Sequence, residues 1–183
     1  DDISDFEIER ISIGDSLLDY FSNDKIKKMI NFDTAFFYKN GDWILIGIYK
    51  DNQNVITLEN YKSLGITINN NDKKYKIYSI AGQNYSFQNI NDCNTNQKSI
   101  SNDIKDVIGN NSVERYYENQ KYKINSDGAA IGKTSVTDFD FDDGSGVRII
   151  CYELNDEAAK SANWKVKLEV VLNSKKFNRF LEK

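Results

Sequence analysis

The densest run of reactive side chains is Asp138, Asp140, Asp142 and Asp143, followed by Gly144. Closely spaced carboxylates can hold a divalent cation. A calcium loop does so with oxygens at alternate positions, a glycine at the sixth for the sharp turn and a glutamate at the twelfth. Counted from Asp138, the sixth position is Asp143, the glycine comes one residue late, and the twelfth is Ile149. The same run also reads as a strand, with Phe139 and Phe141 inward and Asp138, Asp140 and Asp142 outward, ending in a glycine turn. Two readings follow: a strand face, or a weak cation site in which the metal relieves repulsion between like charges on one face.

Other chemistry is narrower. Gly128, Gly132, Lys133 and Thr134 approach a phosphate loop, but three residues separate the glycines where four are required. A β-patterned run follows where a helix would have to begin, so no nucleotide and no cofactor is expected. The chain has no His, which removes Ser-His-Asp triads, Cys-His dyads and His metal ligands. A pair of carboxylates of the glycosidase type stays open, because any of the 28 acids can meet another in the fold. Tyr75 and Tyr78, beside Lys73, Lys74 and Lys76, fit either a stacking surface for sugars or the core and edge of a sheet.

The elements that position these groups must come from 183 residues, enough for one domain. The net charge is −4 and the pI is near 5.0, which does not favour nucleic acid. No apolar run is long enough to span a membrane. Aromatic residues make up 13% of the chain, well above what disordered chains carry, and they supply a core. The two cysteines, Cys93 and Cys151, are an even count that suits one disulfide in an oxidising compartment. Cys93 lies in a polar, turn-like run from Asn91 to Asn94, a setting that favours pairing. The chain opens on Asp1, which fits a removed signal peptide or a trimmed sequence.

Asp15 is a candidate N-cap for a short helix through Phe21, and Ser22–Asp24 caps a second, Lys25–Ile30. From residue 34 the hydrophobic period becomes two. Strands are expected at 35–38 and 43–49 across Asn40 and Gly41, briefly at 55–58, then at 64–68 and 75–80. Residues 83–99 are polar and Asn-rich. A helix is expected over Ile100–Ile108 with Gly109 as C-cap, then strands at 116–124, 134–142, 147–154 and 164–172. Ser174 caps a C-terminal helix carrying Phe177, Phe180 and Leu181. Short turns between strands argue for antiparallel pairing and an α+β class: twisted antiparallel sheet with an N-terminal helix-turn-helix, a middle helix and a C-terminal helix. At an offset of 78, Ile26 and Ile30 correspond to Ile104 and Ile108, each pair followed by an aromatic strand. Two helix-plus-sheet units, 1–90 and 91–183, would explain this echo, as would chance in an Ile-, Lys- and Tyr-rich chain.

The stretch Ile11–Phe21 resembles the opening of a family of exported proteins, with no established activity, from AT-rich marine alphaproteobacteria. The strand Gly132–Asp138, the cysteine-tyrosine strand Ile149–Tyr152 and the acidic turn Asn155–Glu157 are similar to that family's ending. The motifs are structural, so the resemblance implies export and carries over no functional residue. Acids at 138–143 are not a fixed pattern of that family.

The expectation is therefore a single exported α+β domain, periplasmic or secreted, monomeric, and stapled by Cys93–Cys151. Its expected role is non-enzymatic: a binding or envelope-accessory module contacting a protein or glycan. The alternatives are a carboxylate-dependent hydrolase of sugars or cell wall, and a weak divalent-cation binder at Asp138, Asp140, Asp142 and Asp143.

Overall fold

The computed structural model describes residues 3–31, 35–38, 41–50, 56–108, 112–123 and 128–182. Two short strands, β1 (Glu7–Ile8) and β2 (Ile11–Ser12), form a small antiparallel pair near the N-terminus. A 3-10 turn, Leu17–Asp19, and the helix α1 (Asn23–Asn31) follow. Then come β3 (Ala35–Phe37), β4 (Trp43–Tyr49), β5 (Ser63–Asn69) and β6 (Ile77–Asn84). The long helix α2 (Ile90–Ile108) leads to β7 (Ser112–Tyr122), β8 (Gly132–Phe141) and β9 (Gly146–Leu154). The chain ends with α3 (Asp156–Ala162), β10 (Val166–Asn173) and α4 (Lys175–Leu181).

The fold is α+β. Eight strands form one antiparallel sheet in the order β3-β4-β5-β6-β10-β9-β8-β7. The order is a mirror about its centre. A helix and four strands from the first half meet a helix and four strands from the second, and β6 and β10 pair at the seam. Strand alternation fixes what each face carries. Ile44, Ile46, Leu64, Ile66, Ile80, Leu168, Val170, Ile149 and Phe139 point into one buried cluster, closed by Ile26 of α1, Ile104 and Ile108 of α2, and Ile8, Ile11 and Leu17 of the N-terminal segment. The second face of the sheet is more polar and carries the aromatic rings taken up below.

Several expected boundaries move, each for a physical reason. The first helix is a single 3-10 turn, and its cap is Ser16 rather than Asp15. Ser16 Oγ accepts the Leu18 amide at 3.1 Å, and Asp19 returns the bond to the Ser16 amide at 3.1 Å. Asp15 instead accepts from the Ser12 amide at 2.9 Å and from the Tyr20 hydroxyl. The α1 helix starts at Asn23, two residues ahead of the expected Lys25. The middle helix starts at Ile90, not Ile100. Asn89 caps it, accepting the amides of Asn91 and Asp92, so the run around Cys93 is helix and not turn. Its buried stripe is Cys93, Gln97, Ser101, Ile104 and Ile108, and the polar half of that stripe hides the helical period. Residues 56–58 join no strand, although Leu58 is buried. Lys165 precedes β10, which is one residue longer at its far end than expected. The turn after β9 opens α3, where Asn155 accepts the Ala158 amide as N-cap. Asn40, Val55, Gly109 and Ile124 lie outside the described residues.

Gly132 shows why its neighbourhood is a strand and no phosphate cradle. A Cβ there would sit 2.2 Å from the Glu153 carbonyl oxygen across the β8–β9 ladder. The close approach of two backbones demands glycine.

Cys93 and Cys151 form a disulfide, with 5.9 Å between their Cα atoms, and both side chains are fully buried. It ties the first turns of α2 to β9. Gln97, one turn further on, is buried as well and donates to the carbonyls of Ser135 and Ile149 at 3.1 and 2.9 Å. The bridge closes a loop of 58 residues, which the chain-entropy model values at about 4 kcal/mol. Under denaturing conditions without reductant, both thiols are expected to resist alkylation. Cys93→Ala with Cys151→Ala is expected to lower the unfolding free energy by about that ~4 kcal/mol. Free labelling without reductant, read by intact mass, would contradict the bridge.

Candidate functional site

The centre of the second face joins both halves of the chain. Gln83 of β6 lies opposite Glu169 of β10, and Lys167 of β10 lies opposite Tyr152 of β9. These residues are on the outward phase of their strands, alternating with the core residues Leu168, Val170 and Cys151. Glu169 Oε2 accepts from Lys167 Nζ at 2.7 Å and from Gln83 Nε2 at 2.8 Å. Gln83 Oε1 in turn accepts from the Ser63 hydroxyl at 3.0 Å and the Tyr85 hydroxyl at 2.5 Å. The Lys167 and Glu169 side chains retain only 12% and 14% of their exposure. A pair so covered costs desolvation, and the further hydrogen bonds to Glu169 offset part of that cost.

Aromatic rings wall this pair. Lys167 Nζ stands 4.3 Å from the Tyr152 ring centroid and 5.2 Å from that of Trp164, within the range of cation–π attraction. Tyr122 meets Tyr152 edge-on at 5.0 Å, and Trp164 lies 6.1 Å from Tyr85 and 6.3 Å from Tyr152. Burial first, and the Glu169 charge second, push the Tyr152 phenol well above its ordinary range. Tyr85 and Tyr122 shift the same way for the same first cause. Tyr122 and Trp164 also border a cavity of about 580 Å³, completed by Ile131, Leu154, Ala158 and Ala162. All four rings are half-buried.

The opposite corner of this face is closed. The α4 helix lays Phe177 and Phe180 against Trp43 and Tyr38, with ring centroids 5.2 to 5.7 Å apart. Tyr78 meets Trp43 at 5.1 Å in the same box. Tyr78 is thus part of a packed aromatic corner, and Tyr75 packs against the main core at a positive φ of 49°.

Three of the four acids of the candidate cation site are taken up by separate partners. Asp138 is buried and held by Arg148, Nε to Oδ1 at 2.6 Å and Nη2 to Oδ2 at 3.0 Å. That bond raises the affinity of the Arg148 guanidinium for its proton. Asp140 pairs with Arg115 of β7. Asp143 accepts from the Ser145 amide at 2.8 Å and its hydroxyl at 2.5 Å. Those bonds, with nearby Lys175, outweigh its burial and hold the carboxyl below the usual range. Asp142 is exposed in the turn. Among the described residues no three His, Cys, Asp or Glu side chains gather as a metal site. Phe139 and Phe141 do face inward, and Asp138 shares the outward phase but is covered.

Sequence reasoning passed over Gln83, Tyr85, Tyr122, Tyr152, Trp164, Lys167 and Glu169. Lys167 and Glu169 read as the polar face of an amphipathic strand. Only their i, i+2 placement beside Trp164 could have marked them.

No protein-family model matches the chain, and neither a curated protein nor a solved structure matches it.

The buried tyrosines impose a pH limit. Burial, and then the Glu9 carboxylate, push Tyr61 up to about 12 from 10.0. Tyr20, Tyr38, Tyr85, Tyr122 and Tyr152 also rise, burial being the largest cause in each. An unfolded tyrosine releases its proton near pH 10, while the folded ones keep theirs. Between about pH 10 and 12 the unfolded state binds fewer protons, so stability falls as pH rises there. Urea midpoints are expected to show no tyrosine-linked change below that window and a steady decline within it. An unchanged midpoint across the window would contradict the shifts.

Proposed function

We propose that this chain is a non-enzymatic, exported binding module that takes a glycan on the second face of its sheet. The observation that carries the reading is the covered Lys167–Glu169 pair, ringed by Tyr85, Tyr122, Tyr152 and Trp164, of which Tyr122 and Trp164 also border the 580 Å³ cavity. Aromatic faces pack against the C–H faces of a sugar ring, and a few fixed polar groups orient its hydroxyls. Here Lys167 and Gln83 are donors and Glu169 an acceptor, all tied to rigid strands.

The contacts of Glu169 argue for binding over hydrolysis. Its Oε2 already accepts two hydrogen bonds, one of them from an ammonium group. A general acid must turn a free oxygen toward the leaving group, whereas this oxygen is taken by Lys167 and Gln83. The disulfide supports an oxidising compartment, in line with the expected export.

The test is calorimetry of the chain against a panel of neutral oligosaccharides, with release of reducing ends measured in parallel. Saturable binding without release is expected. Trp164→Ala and Tyr122→Ala are each expected to weaken it about tenfold, with an unchanged fold by circular dichroism. Release of reducing ends that disappears in Glu169→Gln would replace this reading with a hydrolase. Affinity unchanged in both aromatic variants would remove the site.

A further inference from the structure

A second site stands at the other end of β10. The strand is eight residues long, so its ends are about 26 Å apart. Trp164 precedes one end, and Ser174 follows the other, beside a cavity of about 630 Å³. Four cations border that cavity: Lys76 just ahead of β6, and Lys175, Lys176 and Arg179 of α4. The acid on its border is Asp143. Four positive charges against one negative leave a local charge of +3, in a chain whose net charge is −4. Among the described residues none of the four cations is in an ion pair.

The walls are fixed. Asn178 of α4 donates to the Gly144 carbonyl at 3.1 Å, tying the helix to the β8–β9 turn. Lys176 lies 4.9 Å from the Tyr78 ring centroid, which holds its ammonium at the rim. Asp143 is occupied by Ser145. In the first turn of α4 the Phe177 amide donates to the Ser174 hydroxyl and the Asn178 amide to its carbonyl. The positive charge at the cavity is carried by side chains of two separate segments, the approach to β6 and α4. Ile3, Ile13 and Ile77 give the same cavity an apolar wall.

We propose that this cavity binds a small phosphate ester or diphosphate, with the phosphoryl oxygens toward Lys76, Lys175 and Arg179 and the carbon portion against the isoleucines. The volume exceeds the need of a lone oxyanion and falls in the range of small-molecule pockets. An arginine fork and flanking ammonium groups suit a doubly charged phosphoryl group.

The test uses the full chain and inorganic pyrophosphate, by calorimetry and thermal shift at constant ionic strength. Saturable binding and a rise in Tm are expected. Lys175→Ala with Arg179→Ala is expected to weaken binding at least about tenfold. Both side chains are exposed, so the fold should survive. Lys105→Ala, which removes a cation paired with Glu114 elsewhere, is expected to leave the affinity unchanged. Absence of saturation, equal affinity in the double variant, or tighter binding of citrate than of pyrophosphate would each overturn the proposal.

Discussion

The pairing of β6 with β10 is the constraint on which the rest of the molecule depends. It joins residues 79–84 to residues 168–173, strands almost half the chain apart. The loop-closure entropy of that encounter must be met before its contacts give any return. Backbone hydrogen bonds alone do not define the seam. On the second face the Ser79 hydroxyl donates to Asn173 at 2.6 Å and Gln83 donates to Glu169 at 2.8 Å. On the first, Ile80 lies opposite Leu172, within the common core. A one-residue slip would turn Leu168, Val170 and Leu172 to the polar face, so the register is strongly specified. The aromatic site exists only when the seam is formed, because Gln83 and Tyr85 come from one half and Tyr152, Trp164, Lys167 and Glu169 from the other.

The disulfide is placed differently. Cys93 on α2 and Cys151 on β9 both belong to the second half. The bridge therefore fastens that half to its own helix and leaves the seam to noncovalent forces. What holds the first half is the shared core and the side-chain bonds across β6 and β10. The N-terminal segment adds to this hold. Its Glu9 carboxylate accepts the amides of Glu59, Asn60 and Tyr61 at 2.6 to 2.9 Å, pinning the connection between β4 and β5.

Where the hydrophobic period was clean, the sequence was legible. Val166, Leu168, Val170 and Leu172 alternate without interruption, and the strand lies where that pattern puts it. The β8–β9 hairpin was readable from its glycine turn and the Ser174 cap from its side-chain type. The first ten residues of α2 were not, because Cys93, Gln97 and Ser101 occupy buried positions with polar or small side chains. Gln97 is buried because two sheet carbonyls receive it, and no local pattern reports a partner so far along the chain. The aromatic site was illegible for a related reason. Each member is ordinary within its own strand, and the chemistry arises from neighbours across strands. The acids at 138–143 illustrate the reverse, since in a run dense in carboxylates Asp138 and Asp140 are paired with arginines and Asp143 is hydrogen-bonded by Ser145.

At one edge of the sheet, β7 runs for eleven residues with most of its side chains exposed, including Val113, Tyr116 and Tyr117. A long, flat edge of that kind would template the addition of further strands and seed aggregation. Here the ladder to β8 breaks register between Tyr117 and Gln120, and Asn119 takes a positive φ of 54° at the irregularity. The kink bends the free hydrogen-bonding row out of line, and Glu114, Arg115, Glu118 and Lys121 stud it with charge. Such devices let a sheet end in open solvent without recruiting other chains. Straightening β7 by removing the extra residue would turn a terminus of the sheet into a growth point.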